Sequence, residues 1–146
     1  MDHTTGHEIP PRGERSGHVQ SINALTLATS SMERSVRFYQ ALGLSVVFGG
    51  EDAPFTTFKV GDGYLNIQFD PDFNGVSHIW GRAVFWVDDV DTVYQDMVDA
   101  GYEPNAAPSD APWGERYFPM RDPDGHDLSF ARPLSRVENR DHVDHA

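Results

Sequence analysis

The spacing of apolar residues along this chain predicts two amphipathic helices. Apolar side chains recur every three or four residues over 32–42 and again over about 90–100, which is the period of a helix with one buried face. Each stretch ends at a glycine, Gly43 or Gly101, where a helix needs a residue that accepts a left-handed conformation. We therefore expect one helix in each half of the chain.

Polar residues that can cap these helices stand directly before each stretch. Ser30, with Glu33 three residues later, has the spacing of a capping box. Asp88 or Asp89 can cap the second helix in the same way.

Around the helices the apolar period changes to two, which is typical of strands. The strands predicted from this alternation cover residues 22–28, 44–48, 55–60, 64–69, 82–87, 102–106, 116–120 and 126–131. Gly61-Asp62-Gly63 predicts a tight hairpin, and Asp122-Pro123-Asp124-Gly125 predicts a type I turn. Residues 70–79 and 107–114 are expected to form loops.

A shift of 58 residues places the first strand and helix on the second strand and helix, so the chain holds a repeated unit. Each copy is a strand, a helix and three further strands. We expect one domain over residues 21–134, with modules at about 21–70 and 80–132, and mobile tails at 1–20 and 135–146. The tails carry five of the seven histidines, which we interpret as solvated rather than metal-binding.

Strand alternation also separates two faces of the sheet. One face is apolar in four strands and is expected to lie under the helices. The other face mixes polar residues such as Asn66, Gln68 and Asp127 with Trp86. A solvated face does not explain Trp86. A ligand-binding groove lined by these side chains explains the whole set.

Composition narrows the classes of function. The sequence has 23 acidic and 11 basic residues and a formal charge of −12, which argues against nucleic acid or an anionic membrane as a partner and suits a cationic ligand. The absence of cysteine excludes disulfides and a thiol nucleophile. No apolar run could span a bilayer, and residues 1–20 show no secretory signal, so we expect a cytoplasmic protein.

Three segments resemble the signatures of the vicinal oxygen chelate superfamily, which includes glyoxalases, extradiol dioxygenases and bleomycin-resistance proteins. They are residues 32–44, residues 87–102, and Pro112-Trp113-Gly114 with Arg116 and residues 121–128. The resemblance covers about residues 22–132. It implies an α+β fold of two βαβββ modules that form a cup-shaped mixed sheet with the helices on its outer face, usually within a homodimer.

The resemblance also identifies where a metal would be held. Members with metal chemistry place four ligands on the inner strands, and the matching positions here are Ala24, Asn66, Arg82 and Ser129. None is a usual ligand, and the fixed charge of Arg82 repels a cation. We therefore expect no metal and no cofactor. The segment Pro112-Trp113-Gly114 is similar to the metal-free bleomycin-resistance type, which binds a drug without changing it.

Several residues are candidates for contacting a small-molecule ligand, either cationic or planar and aromatic. They are Thr26, Asn66, Gln68, Arg82, Trp86, Trp113, Tyr117 and Ser129, with Tyr64 at the rim. Arg82 either anchors a ligand or forms an internal ion pair with Asp127. Trp86 either lines the groove or packs in the core. Trp113 either contacts a ligand or a second subunit or packs on its own loop, and Trp80 is expected to pack.

No residue is assigned as catalytic, although Asp127 and His126 are the candidates for metal-free acid–base chemistry. His126 follows a turn and is expected to face solvent, as are Glu115 and Asp124.

Three hypotheses for the function follow from the sequence. The first is a metal-independent binding protein that sequesters an antibiotic or other toxic natural product. The second is a lyase, isomerase or dioxygenase with displaced ligands or acid–base catalysis, and the third is a scaffold that works through its tails. The sequence favours the first, and thus a non-catalytic protein.

Overall fold

A computed structural model describes residues 17–134. The predictions for residues 1–16 and 135–146, including four of the five tail histidines, lie outside the described residues. Residues 17–20 are exposed and belong to no helix or strand.

The described chain forms ten elements in the predicted order. They are β1 (Ala24–Thr29), α1 (Met32–Ala41), β2 (Ser45–Phe48), β3 (Phe55–Val60), β4 (Gly63–Phe69), β5 (Ala83–Trp86), α2 (Val90–Asp99), β6 (Ser109–Asp110), β7 (Glu115–Arg121) and β8 (Asp127–Pro133). The strands form two four-stranded mixed sheets, ordered β1-β4-β3-β2 and β5-β8-β7-β6. In each sheet the first strand of the module lies parallel to its last strand, and the other pairs are antiparallel. The predicted α+β class and duplicated βαβββ module are confirmed.

Both helices end at the predicted glycines, and the N-terminal cap of one helix differs from the prediction. Gly43 and Gly101 have φ values of 91° and 96°, and Asp89 caps α2 by accepting a bond from the Thr92 amide at 3.1 Å. The cap of α1 is Ser31, whose side chain accepts from the Arg34 amide at 3.3 Å, so the prediction of Ser30 was wrong by one residue.

One predicted strand does not form. Residues 102–106 contain Pro104, which has no N–H to donate to a ladder, and their backbone makes a single bond to the second sheet, from the Asn105 amide to the Pro119 carbonyl at 3.0 Å. The short β6 takes the edge position instead and pairs with β7 at Ser109 and Asp110, in a region that was predicted to be a loop.

The core lies between the helices and one face of each sheet, as the alternation predicted. Helical side chains such as Val36, Tyr39 and Met97 pack with strand residues such as Ile67 and Phe130 in a continuous buried cluster. Within residues 17–134, neither helix has the length and apolar content that a membrane span requires.

Candidate functional site

The second sheet carries aromatic side chains on its open face, which we define as the face turned away from the helices. Trp86 on β5 pairs with Ala131 on β8, and Ala131 pairs with Tyr117 on β7, so all three point to this face. Trp86 is 63% exposed, which excludes the core position that was its alternative. Val84, which lies opposite Ser129 on the same face, is 62% exposed and was not among the predicted site residues.

Trp113 extends this surface from the loop before β7. Its ring lies 5.9 Å from that of Tyr117, centroid to centroid, and its indole N–H donates to Glu115 Oε1 at 3.1 Å. Trp113 is 51% exposed. We call Trp86, Tyr117 and Trp113 the aromatic strip. Each of these rings offers a flat apolar surface of the kind on which planar ligands stack, and the planes of Trp113 and Tyr117 are inclined by 34°.

The open face of the first sheet is polar. Asn66 on β4 accepts a bond from the Thr57 hydroxyl at 2.7 Å, and its amide donates to Thr26 Oγ1 at 3.2 Å. Gln68 lies one row further along the same face and is exposed. The predicted polar residues therefore share a face, and the side chain of Asn66 is held by two neighbouring threonines.

A cavity of about 440 Å³ lies where the β1–β4 edge of the first sheet approaches β5 of the second. We call it the seam cavity. Ala24 and Tyr64 line it from one side, and Arg82 and Val84 line it from the other. Of the four positions that match the family's metal ligands, Ala24 and Arg82 meet here, while Asn66 and Ser129 are not among the lining residues.

These four residues do not fit a divalent metal. Ala24 has no atom that can coordinate a metal, and the guanidinium of Arg82 is a fixed cation. The side-chain amide of Asn66 is already hydrogen-bonded to two hydroxyl groups. In the part of the chain that the structure describes, no group of three or more His, Asp or Glu side chains is placed to hold an ion.

The ion pair between Arg82 and Asp127, one of the two alternatives for Arg82, does not form. Asp127 lies directly opposite Arg121 in the β7–β8 ladder and pairs with it at 3.2 Å. A cross-strand neighbour reaches the carboxylate with less loss of side-chain entropy than a residue on another strand pair, so the local partner is preferred.

His126 does not face solvent, contrary to prediction. It is 5% exposed, its ring is stacked on Phe73, and its Nδ1 accepts from the Trp80 indole N–H at 3.0 Å. An indole N–H only donates, so the ring proton is on Nε2, which donates to the Ala28 carbonyl at 2.9 Å. Both ring nitrogens are occupied by structural bonds. Trp80, expected to pack, does so in part through this contact.

Asp124 is also buried rather than solvated. It is 4% exposed and accepts bonds from the Thr29 hydroxyl at 2.6 Å and from Arg34 at 2.9 Å. It also accepts from the amide and hydroxyl of Ser30 at 3.2 and 3.3 Å. These bonds join the β7–β8 turn to the first module. They also explain the shifted cap, because Ser30 is held by Asp124 and leaves Ser31 to cap α1.

Asp122 completes this arrangement from the same turn. It accepts from the Tyr39 hydroxyl at 2.6 Å and from the amides of Asp124 and His126 at 2.9 and 3.0 Å. Burial raises the pKa of Asp122 above its usual value, although the bond from Tyr39 acts in the opposite direction. Burial and the neighbouring Asp122 raise the pKa of Tyr39 well above its usual value. We call Asp122, Asp124 and His126 the turn cluster.

A second cavity, of about 590 Å³, borders the turn cluster and is lined by Arg34, Asn74 and Asp124 among others. The carboxylate of Asp124 is already saturated by four donors there. We therefore assign this polar cavity to the contact between the modules.

Two βαβββ modules, each with a four-stranded mixed sheet and one helix, define a glyoxalase-like fold. The chain belongs to the Glyoxalase/Bleomycin resistance protein/Dioxygenase superfamily, whose family model matches residues 21–130.

Solved structures of similar fold include proteins of different described activity. A glyoxalase/bleomycin resistance protein/dioxygenase from Nocardioides is 21% identical, with a TM-score of 0.68 over 86% of this chain and 91% of that one. A bleomycin-binding protein complexed with bleomycin is 23% identical, with a TM-score of 0.62 over 78% and 98%. A lactoylglutathione lyase from Agrobacterium tumefaciens is 19% identical, with a TM-score of 0.64 over 78% and 94%. At these identities the likeness establishes the shared fold.

Proposed function

We propose that this protein binds a small molecule with a planar aromatic group on the open face of its sheets, without a metal ion. The aromatic strip supplies the stacking surface, and the polar row of Thr26 and Asn66 supplies hydrogen bonds. Its role would be to sequester an antibiotic or other toxic natural product in the cytoplasm.

The single observation that carries this proposal is the exposure of Trp86. A tryptophan side chain that is 63% exposed at the end of the edge strand β5 leaves a large apolar area in water. Val84, two residues away on the same face of β5, is 62% exposed, and adjacent exposed apolar side chains of this kind mark interaction sites rather than ordinary protein surface.

The residues at the positions of the family's metal ligands support a metal-independent mode of binding. Family members that use a metal need ligands that Ala24 and Arg82 cannot supply. The environments of His126 and Asp127 do not favour acid–base catalysis as a second function. His126 has no free ring nitrogen, and Asp127 is paired with Arg121.

We also propose that the protein is a homodimer, in which the second subunit covers part of the exposed apolar surface. Besides the open face, Val47 and Phe48 on β2 are exposed at the outer edge of the first sheet. Burial of such side chains is the usual source of stability for a dimer contact. Sedimentation of the full chain at micromolar concentration would test this proposal, and a monomer at all concentrations would contradict it.

Tryptophan fluorescence tests the binding proposal. Bleomycin and a panel of neutral, cationic and anionic naphthalene compounds would be titrated into the full chain with and without excess chelator. We expect saturable quenching by at least one compound, unchanged by the chelator, and a loss of affinity of about tenfold or more in Trp86→Ala.

The matched control is Trp80→Ala, because Trp80 is also half exposed but belongs to the turn cluster contact. It should lower the total fluorescence without weakening binding. No quenching and no thermal shift across the panel, or equal affinity in Trp86→Ala, would contradict the proposal.

A further inference from the structure

We infer that the seam cavity selects an organic anion, namely a carboxylate attached to a planar apolar ring system. This inference rests on the proposed binding function and adds the charge of the ligand. It is opposite to what the net charge of −12 alone would favour.

The first argument is the pairing of the basic side chains. In the sequence, acidic residues outnumber basic ones by 23 to 11, so a basic side chain has many potential partners. Among residues 17–134, Arg34, Arg37, Arg116 and Arg121 each form an ion pair with a carboxylate. Arg82, Lys59 and Arg132 form none with the described residues. Arg132 instead donates to the Val87 carbonyl at 3.3 Å, whereas Arg82 lines the seam cavity and Lys59 lies against its lining residue Tyr64.

The second argument is the position of Lys59, which is the only lysine of the chain. Its Nζ lies 4.8 Å from the centroid of the Tyr64 ring, and Tyr64 lines the cavity. The contact fixes the ammonium group beside the rim of the cavity by a cation–π interaction. The position follows from the hairpin, because the two-residue turn at Gly61-Asp62 places Lys59 opposite Tyr64.

The third argument is the lining itself. Most of the wall is apolar, with Leu25, Val60, Val84 and Phe85 among its residues, and no Asp or Glu lines it. Arg82 enters from the β5 side of the cavity, and Lys59 lies on the β3–β4 side. Such a site combines an apolar body with a cationic anchor, and a guanidinium matches the two oxygens of a carboxylate.

A matched series of probes on the full chain tests this inference by calorimetry. The probes are 2-naphthoate, 2-naphthamide and 2-naphthylmethylammonium, which share a ring and differ in charge. We expect 2-naphthoate to bind about tenfold or more tighter than the amide, because a hydrogen bond to a charged group contributes more than a neutral one. In Arg82→Gln this preference should fall to about threefold or less, and Lys59→Gln should reduce it partly.

Arg37→Gln is the matched control, since it removes one positive charge from α1, away from the cavity, and should leave the preference unchanged. Arg82→Lys should restore part of the preference lost in Arg82→Gln. A preference lost equally in Arg37→Gln would show that net charge decides, and would overturn the inference.

The outcomes also separate this inference from the proposed function. If the anion and the amide bind equally and Trp86→Ala weakens both, the binding function stands and the anion site is wrong. Tightest binding of the ammonium probe, or binding of none of the three, would likewise overturn the seam cavity as an anion site. The proposed function itself is decided by the fluorescence panel and Trp86→Ala.

Discussion

The turn cluster and the aromatic strip reverse the usual relation between polarity and burial. In the turn cluster, two carboxylates and an imidazole are almost completely buried. In the aromatic strip, Trp86 on β5 and Trp113 on the loop before β7 are more than half exposed. Buried polar groups and exposed aromatic groups are both unusual, so each requires a physical explanation.

The two explanations differ because only one region is satisfied within the chain. Each member of the turn cluster has hydrogen-bond partners, and several of them belong to the other module. The cluster is therefore a structural joint. The aromatic strip has no comparable cover among the described residues, which leaves its apolar surface available for a ligand or a second subunit.

Removal of the Asp124 carboxylate should give the largest effect. In Asp124→Ala the buried Thr29 hydroxyl, the Ser30 amide and the Arg34 guanidinium all lose their acceptor. We expect a loss of about 3 to 5 kcal/mol in the free energy of unfolding, measured by urea denaturation.

The corresponding control is Asp62→Ala, in the exposed hairpin turn of the first module. It should change the unfolding free energy by less than about 0.5 kcal/mol. Similar effects of the two substitutions would mean that the turn cluster does not join the modules.

His126→Phe should have the second largest effect. The substitution retains an aromatic ring beside Phe73 but removes the acceptor for Trp80 and the donor for Ala28. We expect a loss of about 2 kcal/mol in the same denaturation assay. His78→Phe, at an exposed position, is the control and should be nearly neutral. Full stability of His126→Phe would assign the burial of the ring to packing alone.

The same contrast explains how far the sequence could predict this structure. Periodicity placed β3 at its observed bounds and put Trp86 on the open face, because alternation along a strand depends only on the local chain. The predicted hairpin turn was one residue too long, because Gly63 belongs to β4 and pairs with Val60, which places Lys59 opposite Tyr64. Nothing local, however, marks the joint between the modules.

Several wrong predictions involve contacts between residues distant in sequence, whereas the strand missing at 102–106 has a local cause in Pro104. Ser30 and Asp124 are 94 positions apart, and Tyr39 and Asp122 are 83 apart. A turn with two aspartates and a histidine is usually solvated, so local reasoning placed these side chains in water. Their burial depends on a docking contact that no single-sequence pattern reveals.

Acidification should distinguish Asp122 from the exposed acids. Because burial raises the folded-state pKa of Asp122 above 3.8, the folded protein binds a proton there more tightly than the unfolded chain. Its ionisation therefore opposes folding above the raised pKa, and this penalty decreases as the pH falls towards 3.8.

The test is the stability of Asp122→Asn relative to wild type as a function of pH. Wild type should gain stability relative to the variant as the pH falls through that window. For Asp91→Asn we expect the stability difference between wild type and variant to change with pH in the opposite direction. The pKa of Asp91 is lowered by its bond with Arg116, so wild type should lose relative stability on acidification, and the effect should be small at this exposed pair. A flat difference for Asp122→Asn would contradict the burial argument.

Trp86→Ala should have the smallest effect on stability, below about 0.5 kcal/mol, because the side chain is already largely in water. Trp80→Ala, at a similarly exposed tryptophan, should cost about 1 to 2 kcal/mol because it leaves His126 without its donor.

Urea denaturation at two protein concentrations measures the stability of both variants. A deficit of Trp86→Ala that appears only at the higher concentration would place Trp86 in a contact between subunits, since association stabilises the folded state by mass action. A deficit at both concentrations would show that Trp86 packs within its own chain, and the aromatic strip would then lose its principal residue.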